Sequence, residues 1–299
     1  MSANTDIIIC RVCGSIDYML VSSIVSGDPD SAVYRCQNCD LVYLFPIMTE
    51  EEEAAFYISE FEEYMEGRSG PGWESPESHF RSYQAEGERR LPLVRPHLSK
   101  DDSLLEIGSS TGYFLDDLSG YVSSVVGVEP SVAYRDYALK RGIHTVESLD
   151  DLDDSKFDVI AIYYVLEHLR DPVGYLGQLQ ARLHKGGRIL VEVPNVDDVL
   201  LSRYDIPNFG PFYWQKVHYH VFSQRTLTDV IVRSGLEVEV FPAQRYDLSN
   251  HMVWMMEGRP GGMGRYTDFF SSELESSYSS TLRRHWLCDT LFAVATEKD

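Results

Sequence analysis

Two patterns of apolar residues alternate along the C-terminal two thirds of the chain. Short apolar runs, typical of buried strands, lie at residues 103–108, 124–130, 157–165 and 187–195. Segments with helical spacing separate them, at 112–120, 133–142 and 172–187. Apolar strands joined by crossover helices predict an α/β fold, a doubly wound and mostly parallel sheet covered on both faces. Two more strand candidates follow, at 236–242 and 290–298, with a helix predicted between them.

The first hundred residues have a different pattern. Residues 1–48 contain short β-like pieces and most of the cysteines, whereas residues 49–100 predict helices. Thr49 is a predicted N-cap, and the acidic residues after it suit the first turn of a helix. The predicted organisation is therefore a small lobe at 1–48, a helical connector at 49–100 that caps the active site, and a main domain at 101–299 with a helical insertion near 250–287.

Four of the five cysteines form two Cys-x-x-Cys pairs, separated by 22 residues: Cys10, Cys13, Cys36 and Cys39. Two such knuckles can supply four thiolates at the distances that tetrahedral Zn²⁺ requires. Four thiolates leave no open coordination position, so the predicted zinc is structural. A lobe of about forty residues has too small a core to fold without such a metal.

Charge excludes several classes of partner. The chain has 26 Lys and Arg against 47 Asp and Glu, a formal net charge of -21. Nucleic acids and anionic membranes are bound mainly through basic side chains, so we expect neither as a partner. The sequence has no apolar run long enough to span a bilayer and no secretory signal at its start, which predicts a cytoplasmic protein.

The turn after the first strand of the main domain carries the first sign of chemistry. Gly108 and Gly112 enclose three small polar residues in a Gly-x-x-x-Gly pattern, which lets a ligand approach the strand end. The middle glycine of a pyrophosphate-binding turn is missing. Glu106 precedes the turn, and Glu129 ends the next strand, where an acid can accept both hydroxyls of a ribose.

These features resemble the class I S-adenosylmethionine-dependent methyltransferases. The family pattern has an acid two residues before a Gly-x-x-x-Gly turn, an acid ending the second strand, and a Gly-Gly turn before the fifth, here Gly186-Gly187. The resemblance covers roughly residues 103–299 and implies a seven-stranded, Rossmann-like sheet with S-adenosylmethionine as cofactor. It also implies the cofactor contacts: Gly108, Ser109 and Gly112 for the methionine portion, Glu129 for the ribose, Pro130, Ser131, Glu147, Ser148 and Leu149 for the adenine, and Tyr163 and Tyr164 for the sulfonium side.

The order of cysteine pairs, helical connector and catalytic core resembles a narrower group, the zinc-containing sugar methyltransferases of carbohydrate biosynthesis. That group has a Glu-His-x-x-x-Phe-Ser pattern, and His218, Phe222 and Ser223 match it. Val217 stands in place of the glutamate, and the chain ends without the further C-terminal domain of the sugar C-methyltransferases. Both departures favour O-methylation of a sugar, nucleotide-sugar or glycan hydroxyl.

Methyl transfer to a sugar hydroxyl needs a group that removes the hydroxyl proton, and histidine titrates near neutrality. His218 is the first candidate for this base and His168, in the motif Leu-Glu-His after the fourth strand, is the second. Aromatic residues are the candidates for contacting the acceptor: Tyr57, Tyr64, Tyr213 and Trp214.

Four alternatives stay open at this point. Two of them are other methyl transfers: C-methylation of a keto-deoxysugar, and methylation of a quinone or lipid precursor. A nicotinamide-dependent dehydrogenase would also use Glu129, and the lobe alone could be a binding module. The sequence leaves the acceptor and the oligomeric state undetermined.

Overall fold

The computed structural model describes residues 7–69 and 72–298. The strands are β1 Tyr18–Ser22, β2 Ala32–Cys36, β3 Val42–Phe45, β4 Ser103–Ile107, β5 Ser124–Val128, β6 His144–Val146, β7 Phe157–Tyr163, β8 Leu183–Pro194, β9 His220–Val221, β10 Leu236–Ala243 and β11 Thr290–Glu297. The helices are α1 Glu50–Ser59, α2 Phe61–Ser69, α3 Pro76–Val94, α4 Tyr113–Leu118, α5 Val132–Lys140, α6 Pro172–Ala181, α7 Val199–Ser202, α8 Phe209–Tyr213, α9 Gln224–Arg233, α10 Leu248–Glu257 and α11 Ser272–Arg284.

Seven strands form the central sheet, in the order β10-β11-β8-β7-β4-β5-β6. The pairs from β8 to β6 are parallel, and β11 is antiparallel to both of its neighbours. This confirms the predicted Rossmann-like methyltransferase fold. Since parallel strands end at the same edge, the sheet brings the ends of β4, β5, β7 and β8 together.

A second sheet builds the N-terminal lobe, in the order β1-β2-β3-β9. Its last strand comes from the main domain, where Val221 pairs with Val42 and His220 with Tyr43. The lobe is thereby hydrogen-bonded to the segment that directly follows His218.

The helices of the connector begin where local chemistry dictates. Thr49 caps α1 as predicted, and its side chain and that of Glu52 form a reciprocal capping box. Ser75 caps α3, and Pro76 occupies its first position. Proline has no backbone N–H, and at this position no hydrogen bond of the helix is lost.

Buried ion pairs attach α3 to the sheet. The Arg90 side chain is 2 % exposed and donates to the fully buried Glu192 of β8 at 2.7 Å. Arg89 reaches the other oxygen of Glu192 at 2.5 Å, and both arginines contact Glu86. Arg245, which follows β10, also pairs with Glu86 at 3.0 Å. Largely buried ion pairs thus hold α3 of the connector over the carboxyl edge of the sheet.

The structure corrects two details of the predicted elements. The segment between β10 and β11 holds two helices, α10 and α11, where the sequence pattern predicts one. Residues 183–187, predicted as the end of a helix, belong to β8, because the chain leaves α6 at Arg182. Among the described residues, no helix combines the length and apolar character needed to cross a membrane.

We predict that Arg90→Leu lowers the free energy of unfolding by about 3–5 kcal/mol, because it leaves the carboxylate of Glu192 buried with one fewer cation. Arg81→Leu is the matched control on the same helix. Its ion pair with Glu77 is solvent-exposed and is expected to contribute less than about 1 kcal/mol. Urea unfolding of both variants measures the difference, and equal losses would contradict the importance given to the buried pair.

Candidate active site

The glycine turn has the geometry of a tight strand-to-helix connection. Gly108 has a φ of 70° and Gly112 a φ of 74°, backbone angles that residues with a side chain rarely adopt. A Cβ on Gly108 would lie 2.5 Å from Cγ2 of Val165, so β4 and the end of β7 approach closely here. Val165 begins the short turn that carries Glu167 and His168. The glycine turn and this histidine turn are therefore neighbours.

Glu129 closes the other side of the glycine turn. Its carboxylate accepts hydrogen bonds from the backbone N–H of Ser110, at 2.9 Å, and of Ser131, at 2.7 Å. Burial raises the pKa of Glu129, while these two backbone donors act in the opposite direction. The carboxylate is fixed at the end of β5, at the position where a nucleoside site of this topology binds ribose hydroxyls.

Several buried polar atoms at this edge lack a hydrogen-bond partner among the described residues: Glu106 Oε2, Ser109 Oγ and Tyr163 OH. Burial raises the pKa of Glu106 to about 8, and the nearby Arg90 partly opposes this. Unpaired polar atoms inside a protein are costly, so they are common where a ligand completes the site. These residues fit a cationic nucleoside such as S-adenosylmethionine.

The remaining predicted adenine contacts lie beside Glu129 at the ends of β5 and β6. Pro130 and Ser131 precede α5, and the exposed Glu147 pairs with Arg135 at 3.0 Å. Ser148 caps the short turn that begins at Leu149. The structure therefore places the predicted cofactor residues that follow β4, β5 and β6 along one edge of the central sheet.

The predicted aromatic contacts divide into two groups. Tyr163 is buried at the end of β7, Tyr164 after it is partly buried, and the hydroxyl of Tyr164 hydrogen-bonds Thr290. Tyr64, Tyr213 and Trp214 pack between the lobe and the main domain. The Tyr213 hydroxyl donates to the carbonyl of Asn195, and Tyr64 donates to that of Ser26. These hydroxyls are already paired with backbone.

The two predicted histidines lie together. The rings of His168 and His218 meet edge to face, with centroids 4.9 Å apart. Tyr57 of α1 shares a hydrogen bond with Nδ1 of His168 at 3.3 Å, so the connector closes over this pair. Burial lowers the pKa of His168 to about 4 and that of His218 well below its usual range. Both rings are therefore neutral at pH 7 and can accept a proton, but burial makes them weaker bases than the near-neutral pKa expected from the sequence.

Sequence reasoning missed two polar residues of the site. Glu167 is fully buried beside His168, and neither carboxylate oxygen has a hydrogen-bond partner among the described residues. His79 of α3 hydrogen-bonds Thr111 of the glycine turn at 3.2 Å and stacks on Tyr83. Glu167 stands in the recognised Leu-Glu-His motif, which was a usable signal, whereas only tertiary packing brings His79 to the turn.

The four lobe cysteines converge as the spacing predicts. The Sγ atoms of Cys10 and Cys39 are 3.6 Å apart, those of Cys13 and Cys36 are 3.5 Å apart, and all four lie within 4.8 Å of one another. A tetrahedral ion with Zn–S bonds of about 2.3 Å separates its sulfurs by roughly 3.8 Å. The donor set and its spacing fit zinc.

Comparison with known families agrees with this geometry. The model of the methyltransferase domain family matches residues 78–240, and the chain belongs to that family. The match supports the predicted enzyme class, an S-adenosylmethionine-dependent methyltransferase, and S-adenosylmethionine as methyl donor. It favours this class over the nicotinamide-dependent dehydrogenase.

The chain is similar in sequence to several curated proteins. The chain is 33% identical over 103 residues to a tRNA U34 carboxymethyltransferase of Dichelobacter nodosus, and 32% identical over 117 residues to that of Pseudoalteromonas translucida. These matches cover 31% and 35% of this chain, and 33% and 35% of the relatives. The chain spans about a third of the length of these curated relatives.

One solved structure supports the fold. It is a chain from the complex of the Haloferax volcanii Trm112 methyltransferase activator with its candidate methyltransferase, with a TM-score of 0.51 and 16% identity. The match covers 74% of this chain and 94% of that one. None of these names includes a sugar acceptor, which stays a prediction.

We predict a pH-dependent stability difference between the wild type and Glu106→Gln. The pKa of Glu106 is about 8 in the folded chain and near 4.5 when unfolded, so between these values only the unfolded state releases the proton. Wild-type stability therefore falls relative to the variant as pH rises from 5 to 8, by roughly 2–4 kcal/mol.

Chemical unfolding at pH 5 and pH 8 measures this difference. The exposed Glu63 provides the control, and Glu63→Gln is expected to follow the wild type at both pH values. A Glu106→Gln variant whose advantage stays constant between the two pH values would contradict the expectation.

Proposed function

We propose that the protein transfers the methyl group of S-adenosylmethionine to a hydroxyl of a small acceptor, most specifically a sugar, nucleotide-sugar or glycan. The observation that carries the proposal is the pair of adjacent histidines, His168 and His218, beside the glycine turn of the cofactor edge. The match of His218 to the sugar methyltransferase motif supports the acceptor class.

The chain's own residues divide the work in this proposal. The glycine turn and Glu129 would hold the cofactor at the sheet edge beside the histidine pair. Tyr57, on α1, would cover one side of the acceptor beside His168. Placing an acceptor oxygen about 3–3.5 Å from the methyl group removes much of the entropic barrier. His218, with His168 as second candidate, takes the hydroxyl proton.

A second candidate acceptor is tRNA, favoured by the names of the curated relatives. The net charge of -21 argues against it, because phosphate backbones are bound through cationic side chains. C-methylation of a keto-deoxysugar and methylation of a quinone or lipid precursor use the same cofactor edge and differ in the acceptor atom.

The acceptor can be identified by incubating the protein with methyl-labelled S-adenosylmethionine and separate pools of nucleotide sugars, glycans, lipid extract and tRNA. Label in a sugar pool, released as a methyl ether, supports the proposal. Label on a sugar carbon indicates C-methylation, and label in tRNA or lipid overturns the proposed acceptor class.

His218→Ala is expected to lower turnover by about 10²–10⁴-fold, because the side chain that takes the proton of the substrate hydroxyl is then missing. The affinity for S-adenosylhomocysteine, measured by calorimetry, should stay close to that of the wild type. His184→Ala, an exposed histidine at the start of β8, is the control and should leave both quantities unchanged. Full turnover in His218→Ala would remove this residue from the mechanism.

We also propose that Cys10, Cys13, Cys36 and Cys39 bind one structural zinc ion, supported by the sulfur distances given above. Metal analysis of the purified chain should give one zinc per molecule. Cys36→Ser is expected to lose it and to destabilise the lobe, since the folding of such lobes depends on metal binding. Cys288→Ser, outside the lobe, should keep the zinc; equal zinc content in both variants would disprove the site.

A further inference from the structure

A second group of metal-ligating side chains lies at the histidine turn. Glu167, His168 and His218 each offer one donor atom, and these three atoms lie within 4.8 Å of one another. One carboxylate and two imidazoles are a common donor set for divalent transition metals, and they leave coordination positions open for a substrate. The three residues come from two segments that only the fold brings together.

The carboxylate of Glu167 is buried in a way that suits pairing with a cation. Its side chain is 1% exposed, and both oxygens lack a hydrogen-bond partner among the described residues. The nearest basic atom of His168, Nε2, is 3.9 Å from Oε1, which is too long for a hydrogen bond. A buried carboxylate without partners is costly, and a bound cation would satisfy both oxygens.

The ring orientations suit the same ion. Tyr57 bonds Nδ1 of His168, which leaves Nε2 directed toward Glu167. Metal-bound histidines are usually held in this way, with the second ring nitrogen hydrogen-bonded to an outer group. Nδ1 of His218 is buried and has no hydrogen-bond partner among the described residues. Closing the donors around an ion requires side-chain shifts of about an ångström, since bonds of about 2.1 Å place neighbouring donors roughly 3–3.4 Å apart.

We propose that Glu167, His168 and His218 bind a divalent transition-metal ion that coordinates the acceptor hydroxyl. This inference rests on the proposed function for its hydroxyl acceptor, and it changes the role of His218 from free base to metal ligand. The coordinated hydroxyl loses its proton to solvent water, and its oxygen then bonds the methyl carbon. The carbon–sulfur bond breaks, and its electron pair stays on sulfur in S-adenosylhomocysteine.

The test uses the full chain, with one equivalent of zinc supplied for the cysteines, and titrates Mn²⁺ by electron paramagnetic resonance. Mn²⁺ prefers oxygen and nitrogen donors, so it does not compete for the thiolates. We expect one bound Mn²⁺ per chain in the wild type. Glu167→Gln and His218→Ala should weaken its binding by more than tenfold, and His184→Ala should bind as the wild type.

Tyr57→Phe adds a graded control. It keeps all three ligands but removes the hydrogen bond to His168, and loss of such an outer partner typically weakens metal binding 10–100-fold. Unchanged affinity for S-adenosylhomocysteine shows that each variant is folded. The inference is overturned if the wild type binds no Mn²⁺, or if Glu167→Gln binds it as tightly as the wild type.

The outcomes separate this inference from the proposed function. If Mn²⁺ binds but no hydroxyl acceptor is methylated, the proposed acceptor fails while the metal site stands. If hydroxyl acceptors are methylated at the same rate with and without Mn²⁺, and no Mn²⁺ binds, the metal site fails while the proposed function stands.

Discussion

The attachment of α3 to the sheet through Arg90 and Glu192 is the constraint on which the rest of the site depends. Glu192 lies on β8 at the edge where the cofactor residues gather, and Arg90 crosses from the connector to reach it. The same guanidinium stacks over Tyr163 and bonds the hydroxyl of Tyr113 at 3.1 Å. One buried cation therefore joins α3 to two strands of the sheet, β7 and β8, and to the start of α4. The same helix carries His79, whose ring bonds Thr111 of the glycine turn at 3.2 Å.

The acids of this region divide into paired and unpaired groups. The arginines neutralise Glu86 of α3 and Glu192 of β8, whereas Glu106 and Glu167 have no such direct pairing. The unpaired carboxyls flank the two places that chemistry requires, the cofactor edge and the histidine turn. Burial raises the pKa of both Glu106 and Glu167 to about 8, so each carboxyl is mostly protonated at pH 7 until a bound cation favours its charged form. The network that stabilises the fold thus also determines which acids stay available.

Elements with long apolar runs could be predicted from the sequence, and elements that depend on distant partners could not. β7 and β11 carry continuous apolar stretches, at 159–163 and 291–295, so local pattern is sufficient. β6 has three residues and β9 has two, too few for a period, and β9 exists because it pairs with β3. The same division holds at the site. The glycine turn and the cysteine pairs have fixed spacing, whereas His79 reaches the glycine turn only through tertiary packing.

The pairing of β3 with β9 has a consequence for the division of the chain into parts. Backbone hydrogen bonds of the lobe sheet end within two residues of His218, so the cysteine cluster and the histidine turn are connected through one short ladder. Oxidation of the cysteines would act next to this ladder, because β3 begins three residues after Cys39. Removing the lobe would take from β9 the strand with which it pairs, and so alter the segment that carries His218.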